Sequence, residues 1–274
     1  MVEEWWAAPS MYKTIFTSPS YTSTEIQTND GLFRSKDSSP VPYLLDLVLK
    51  QLVHPIASDE DITASKPDLR KETFGKVPMD CIMLSQQIKN VAYLPLGLFP
   101  TYCFDRDQDS LRVSYDFGSQ LITRNHVGKF LERNVAIDQT TSFSSVNAIT
   151  AHVEGLQTMP LNDDDFVPPT EFEKTSAKVT KVSSGVISGL AISKTPPIYP
   201  VHAKEMRVTG SVVMAARIGR DGRIHSLKLM SVPDPDLAIA ALTAVRQWVY
   251  KPYLLNGEPV DVDTMITVNF AMGR

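Results

Sequence analysis

The chain has 274 residues, 43% of them hydrophobic and 21% charged, a composition that excludes wholesale disorder and a length that fits two domains better than one. A formal net charge of −4, with no compensating cluster of Lys and Arg, argues against a phosphate-tracking surface and so against nucleic acid as a partner. No stretch approaches the ~18 uninterrupted apolar residues of a membrane-spanning helix; the best candidate, "YLLDLVLKQLV", is broken by Asp46 and Lys50.

The opening "VEEWWAAPS" is acidic and lacks the basic and apolar regions of a secretory signal. Residues 1–36 alternate polar and apolar in short runs, with Asn29, Asp30 and Gly31 offering a turn, the pattern of a hairpin. After Pro42, the residues Leu44, Leu45, Val48, Leu49, Leu52 and Val53 recur at helical spacing until Pro55 stops the run, predicting an amphipathic helix. The polar stretch "ASDEDITASKPDLRKE" shows no periodicity and reads as an exposed connection. Beyond it "MDCIMLS", "TYCFD", "LRVSYDF", "QLITRN" and "NVAIDQT" predict short antiparallel strands, parted by turn residues such as Gly118 and Gly128. Cys81 and Cys103 either pair with each other in an exported protein or serve as buried apolar residues.

Acidic and proline residues crowd "PLNDDDFVPPTEFEKTSAK", which places a linker at residues 161–180 between a β-rich domain (1–160) and a C-terminal domain (181–274). "VTKVSSGVISGLAISK" supplies one more strand, and "VHAKEMRV" a short helix that Gly210 can end. In "SVVMAARI" the residues Val212, Met214, Ala216 and Ile218 share one strand face, and Asp221-Gly222 turns the chain into "RIHSLKLMSV". Asp234 caps a helix with Pro235 at its first position, and Leu237, Ala241, Ala244, Val245 and Trp248 line its apolar side. Asn256-Gly257 then leads into a period-two strand of Val262, Thr264, Ile266, Val268 and Phe270. The expected class is α+β: an antiparallel curved sheet with a helix, then a small α+β domain with an open antiparallel sheet.

"PPIYP", Ala203, "GSVVMAARIGRDGRI", "AALTAVRQWVYKP" and the terminal "VNF" resemble the C-terminal domain of TonB, over about 80 residues from Pro196 to Met272. That resemblance implies a periplasmic module whose last strand takes up, as an added strand, the extended N-terminal peptide of an outer-membrane transporter. It assigns Thr264, Ile266, Val268 and Phe270 to the receiving edge and places Tyr199, Pro200 and Val201 beside it. Such an edge can instead close a homodimer. Energy-coupling members also carry an N-terminal membrane helix that meets an inner-membrane proton-driven motor, and a proline-rich spacer; neither stands in this sequence. The expectation is that Met1 is an internal start with a signal peptide or membrane helix upstream.

"WWAAPSMYKTIFTSP", "DGLFR", "TYCFDRDQDSLRVSYDFGS" and "VGKFLERNVAID" are similar to the later strands of LolA-like lipoprotein carriers, which implies an alternative role as a soluble carrier or scaffold for an apolar ligand such as a lipid. An enzyme is not expected. His54, His126, His152, His202 and His225 are scattered, no nucleotide-binding or nucleophile motif occurs, and "NDDDF" lacks the distal glutamate of a calcium loop, so no cofactor or metal is expected.

Overall fold

The computed structural model describes residues 1–8, 11–35, 41–53, 55–85, 94–115, 120–143, 146–175 and 179–272. Gly118 and His54 lie outside them. The class is α+β, dominated by antiparallel sheets. The chain divides into two compact units, residues 1–47 with 155–178 and residues 48–154 with 179–274.

In the first unit the expected hairpin is part of a meander: β1 (Val2–Ala8), β2 (Met11–Ser18), β3 (Tyr21–Thr28) and β4 (Gly31–Ser35), each antiparallel to the next. Thr14, Phe16 and Ser23 are buried on one face of the meander, and Ile26, opposite Lys13, is buried on the other. The predicted helix follows as α1 (Tyr43–Val53).

Glu4 of β1 stands opposite Thr14. Burial pushes its carboxyl up to about 7, against a hydrogen bond from Trp6 and with help from the nearby Asp46 charge. A carboxyl raised in the fold binds its proton more tightly folded than unfolded. Stability therefore falls as pH rises from the unfolded value through 7, and is unaffected below it. Glu4→Gln is expected to stabilise this unit by roughly 1–2 kcal/mol at pH 8 and by nothing at pH 4. Urea unfolding at the two pH values checks it.

The segment expected as an exposed connection is structured. Ser58 caps α2 (Asp59–Ala64), accepting from the Asp61 N–H at 3.2 Å, and three acids in the first turn suit the helix dipole. Next, β5 (Lys66–Phe74) pairs along its whole length with β6 (Val77–Ser85). Its apolar period is hidden because it is an edge strand held by backbone pairing: the half-buried face carries Asp68, Arg70 and Glu72, and the exposed face carries Leu69, Lys71 and Thr73. The sheet continues through β7 (Thr101–Asp105), β8 (Ser110–Tyr115), β9 (Leu121–Phe130), β10 (Arg133–Phe143) and β11 (Val146–His152), in spatial order β11-β10-β9-β8-β7-β6-β5. Gly128 is no turn. It lies within β9 opposite Val135, and the chain reverses at Leu131 and Glu132, both left-handed (φ 48° and 59°), as a two-residue hairpin turn requires.

Cys81 and Cys103 sit directly opposite on β6 and β7 and form a disulfide, packed with Met79 and Val113. The acidic stretch forms a 3-10 turn, Asp163–Phe166, whose Phe166 is buried, and β12 (Phe172–Lys174) then pairs with β4.

Where one further strand is expected after residue 179, the chain makes three short elements: β13 (Thr180–Lys181), α3 (Ser184–Gly189) and β14 (Ala191–Ser193). Only Ile187 of α3 is buried, so little apolar pattern marks it. The short helix α4 (Val201–Glu205) ends before Gly210, because Arg207 takes the left-handed turn (φ 53°) and Gly210 opens β15 (Gly210–Ile218). β16 (Ile224–Ser231) returns after the Asp221-Gly222 turn. Asp234 caps α5 (Pro235–Val245), accepting from the N–H groups of Asp236 (2.9 Å) and Leu237 (3.2 Å). β17 (Val249–Tyr250), the β18–β19 hairpin (Leu254–Leu255, Glu258–Pro259) and β20 (Val262–Phe270) complete the chain.

Val212, Met214, Ala216 and Ile218 of β15, Val262, Ile266, Val268 and Phe270 of β20 and Leu237, Ala238, Ala241, Leu242 and Val245 of α5 form one apolar core. Trp248 and Tyr250 belong to it; the Trp248 indole N–H donates to the Thr195 carbonyl at 2.8 Å, and Lys194 lies over its ring. Met83 of β6 and the neighbouring Leu98 and Phe99 join the same cluster.

Candidate functional site: an open strand edge

The C-terminal sheet runs β13-β20-β15-β16. On one side β20 pairs with β15 along its full length, Gly210 opposite Phe270 to Ile218 opposite Val262. On the other, β13 covers only Val262 and Asp263, in parallel. Among the described residues nothing pairs with the outer edge of β20 from Thr264 onward.

Two hydrogen bonds fix which backbone groups point outward. The Thr180 N–H donates to the Asp261 carbonyl (2.9 Å), and the Val182 N–H to that of Asp263 (3.0 Å). Strand backbones alternate in hydrogen-bonding direction, so the N–H and C=O groups of Met265, Thr267 and Asn269 face the open edge. Those of the even-numbered residues are spent on β15. An incoming extended chain of about five residues would satisfy this row.

The side chains of the expected edge residues point elsewhere. Thr264, Ile266, Val268 and Phe270 are all buried in the sheet's inward face. Tyr199 does join them: its ring meets Phe270 edge to face at 5.4 Å, and its hydroxyl donates to the Val208 carbonyl. Pro200 is the N-cap residue of α4 and lines a shallow groove over Ile239 and Ala240 of α5, while Val201 is exposed at the start of α4. Beside the edge, α3 packs against β20 through the segment that holds buried Ile187.

On the outer face of the sheet Met265, Thr267 and Asn269 are exposed. Around them, Arg217 grips Asp263 through two bonds of 2.8 and 3.0 Å, and the Ser211 hydroxyl donates to Asn269 Oδ1 at 2.7 Å. Sequence periodicity reveals the two faces of β20. It gives no sign of which set turns its backbone outward, because that phase is set by the neighbouring strand.

The histidines are less scattered than their sequence spacing suggests. His126 and His152, on β9 and β11, both approach the Asp138 carboxylate of β10, at 3.3 and 2.6 Å. The His152 contact leads in holding that carboxyl below its ordinary range.

Residues 195–272 match the family described as the Gram-negative bacterial TonB protein C-terminal region. Over 115 residues the chain is 29% identical to protein TonB of Klebsiella pneumoniae, covering 41% of this chain and 45% of that protein. Over 84 residues it is 32% identical to protein TonB of Escherichia coli K12, covering 30% and 35%. The matched part thus spans under half the length of either relative.

Proposed function

Taking residues 195–272 as a TonB C-terminal domain, we propose that the protein is a periplasmic, non-enzymatic component of energy-dependent transport that binds the extended N-terminal peptide of an outer-membrane transporter by strand addition. The observation that carries this reading is the outer row of backbone groups at Met265, Thr267 and Asn269, left unpaired among the described residues while the rest of β20 is built into the sheet. A bare edge invites any extended chain, which is why folds usually shield theirs. A peptide strand gains its main-chain hydrogen bonds there, and flanking side chains supply selectivity. Ordering the peptide offsets much of that gain, so affinity is expected to be roughly micromolar or weaker.

Thr267→Pro tests the mechanism. Proline removes an N–H that faces outward and so breaks no internal bond, a strand setting in which proline is tolerated. The variant is expected to keep the fold, seen as an unchanged amide spectrum away from residues 265–269, while binding to transporter N-terminal peptides falls at least about tenfold. Undiminished binding by the variant, or no amide shifts in the wild type at about 1 mM peptide, would remove strand addition at β20.

A further inference from the structure

Resting on that reading, we propose that the exposed side chains of β20, Met265 above all, select which peptide pairs with the edge: an apolar residue opposite Met265 and a hydrogen-bond acceptor opposite Asn269. A strand laid on the edge alternates its own side chains between the inward and outward faces of the sheet. Its outward side chains come within about 5 Å, Cβ to Cβ, of Met265, Thr267 and Asn269, the range in which cross-strand pairs interact.

These three positions differ in chemistry in a set order. The outward-facing set begins with Asp263, whose charge is taken up by Arg217 through two bonds. Next comes Met265, 41% exposed and opposite the half-buried Ala215, so its thioether side chain is an apolar surface that the fold leaves uncovered. Thr267 then offers a hydroxyl. At Asn269 the Ser211 hydroxyl already donates to Oδ1 (2.7 Å), which leaves the Nδ2 hydrogens outside that bond and able to donate to an acceptor across the new interface. The ion pair between Lys228 and Asp61 of α2 (3.3 Å) lies on β16, at the opposite side of the sheet from the β20 edge. Methionine suits a receiving position because its flexible side chain adapts to apolar residues of different shape.

A charge placed at position 265 tests the assignment in the full chain. A transporter N-terminal peptide that binds the wild type is prepared as a series in which each residue in turn becomes lysine, and the series is titrated against wild type and Met265→Glu. The wild type is expected to lose affinity when the residue opposite Met265 becomes lysine. Met265→Glu is expected to bind the parent peptide more weakly and to prefer that same lysine peptide by roughly three- to fivefold, the range of a cross-strand charge pair. If Met265→Glu ranks the series as the wild type does, Met265 does not select the peptide, and strand addition itself stands. If neither folded protein binds any member of the series, the reading of β20 as a peptide site fails, and the selectivity proposal with it.

Discussion

Gly222→Ala is expected to unfold the second unit or to leave it less stable by at least about 3 kcal/mol, lowering its melting temperature by roughly 6–12 °C. Gly222 adopts φ +72°, a left-handed conformation that costs other residues strain, and a Cβ built on it would lie 1.9 Å from the backbone oxygen of Tyr250. The obstacle is backbone rather than a side chain that could rotate away. It is also bonded in place, since the Tyr250 N–H donates to the Gly222 carbonyl at 2.8 Å. Moving Tyr250 aside would disturb β17, its pairing with β14 and a core aromatic that is 2% exposed. Gly257→Ala is the control. There φ is +90° but no atom lies within 4 Å of the new Cβ, so only the conformational strain of about 1 kcal/mol is expected. Thermal unfolding of the two variants, followed by tryptophan fluorescence, separates collision from strain; equal losses would mean that the Gly222–Tyr250 approach is not what holds the turn.

Reducing the Cys81–Cys103 bridge is expected to destabilise the second unit by about 3 kcal/mol. That is the chain-entropy value for a loop of this length, the two cysteines being 22 residues apart. Both are at most 1% exposed, so reductant should act on the native protein only through opening of the β6–β7 pair, while the denatured chain should be reduced readily. Urea unfolding with and without dithiothreitol, alongside a Cys81→Ala/Cys103→Ala double variant, gives the magnitude. The native protein should show no free thiol. Coincident unfolding curves with and without reductant would mean that the sulfurs are not bonded. Bridges of this kind persist in oxidising compartments, the setting that the proposed function requires.

Legibility differs between the two ends of the chain for physical reasons. From Gly210 to Phe270 the main local signals agree with the tertiary packing. Asp234 caps where the apolar helix face begins, Asp221-Gly222 stands where β15 must reverse, and the inward residues of β20 are the period-two set. Elsewhere the determinants are not in the pattern. β5 is held by backbone bonds to β6 and carries Asp68, Arg70 and Glu72 on its half-buried face with Leu69 exposed, so its apolar period is masked. The β9–β10 reversal uses Leu131 and Glu132, which no turn propensity marks. For the site, the strand was readable but its outward phase was not. Nor was the two-residue β13, which shortens the open row by covering Val262 and Asp263. The pairing of Cys81 with Cys103 waited on the register that sets them opposite each other.

Under the strand addition proposed above, the joint packing of Met83, Leu98 and Phe99 with the C-terminal core decides where a pull on the bound peptide would travel. Traction applied through a strand lying along β20 acts parallel to the strand, so the hydrogen bonds of that contact share the force in shear instead of parting one after another. The force passes into β15 over nine facing residue pairs, then through the core to β6 and the turn before β7. At that point the two strands are joined covalently by the disulfide, so the pull ends on a crosslinked sheet.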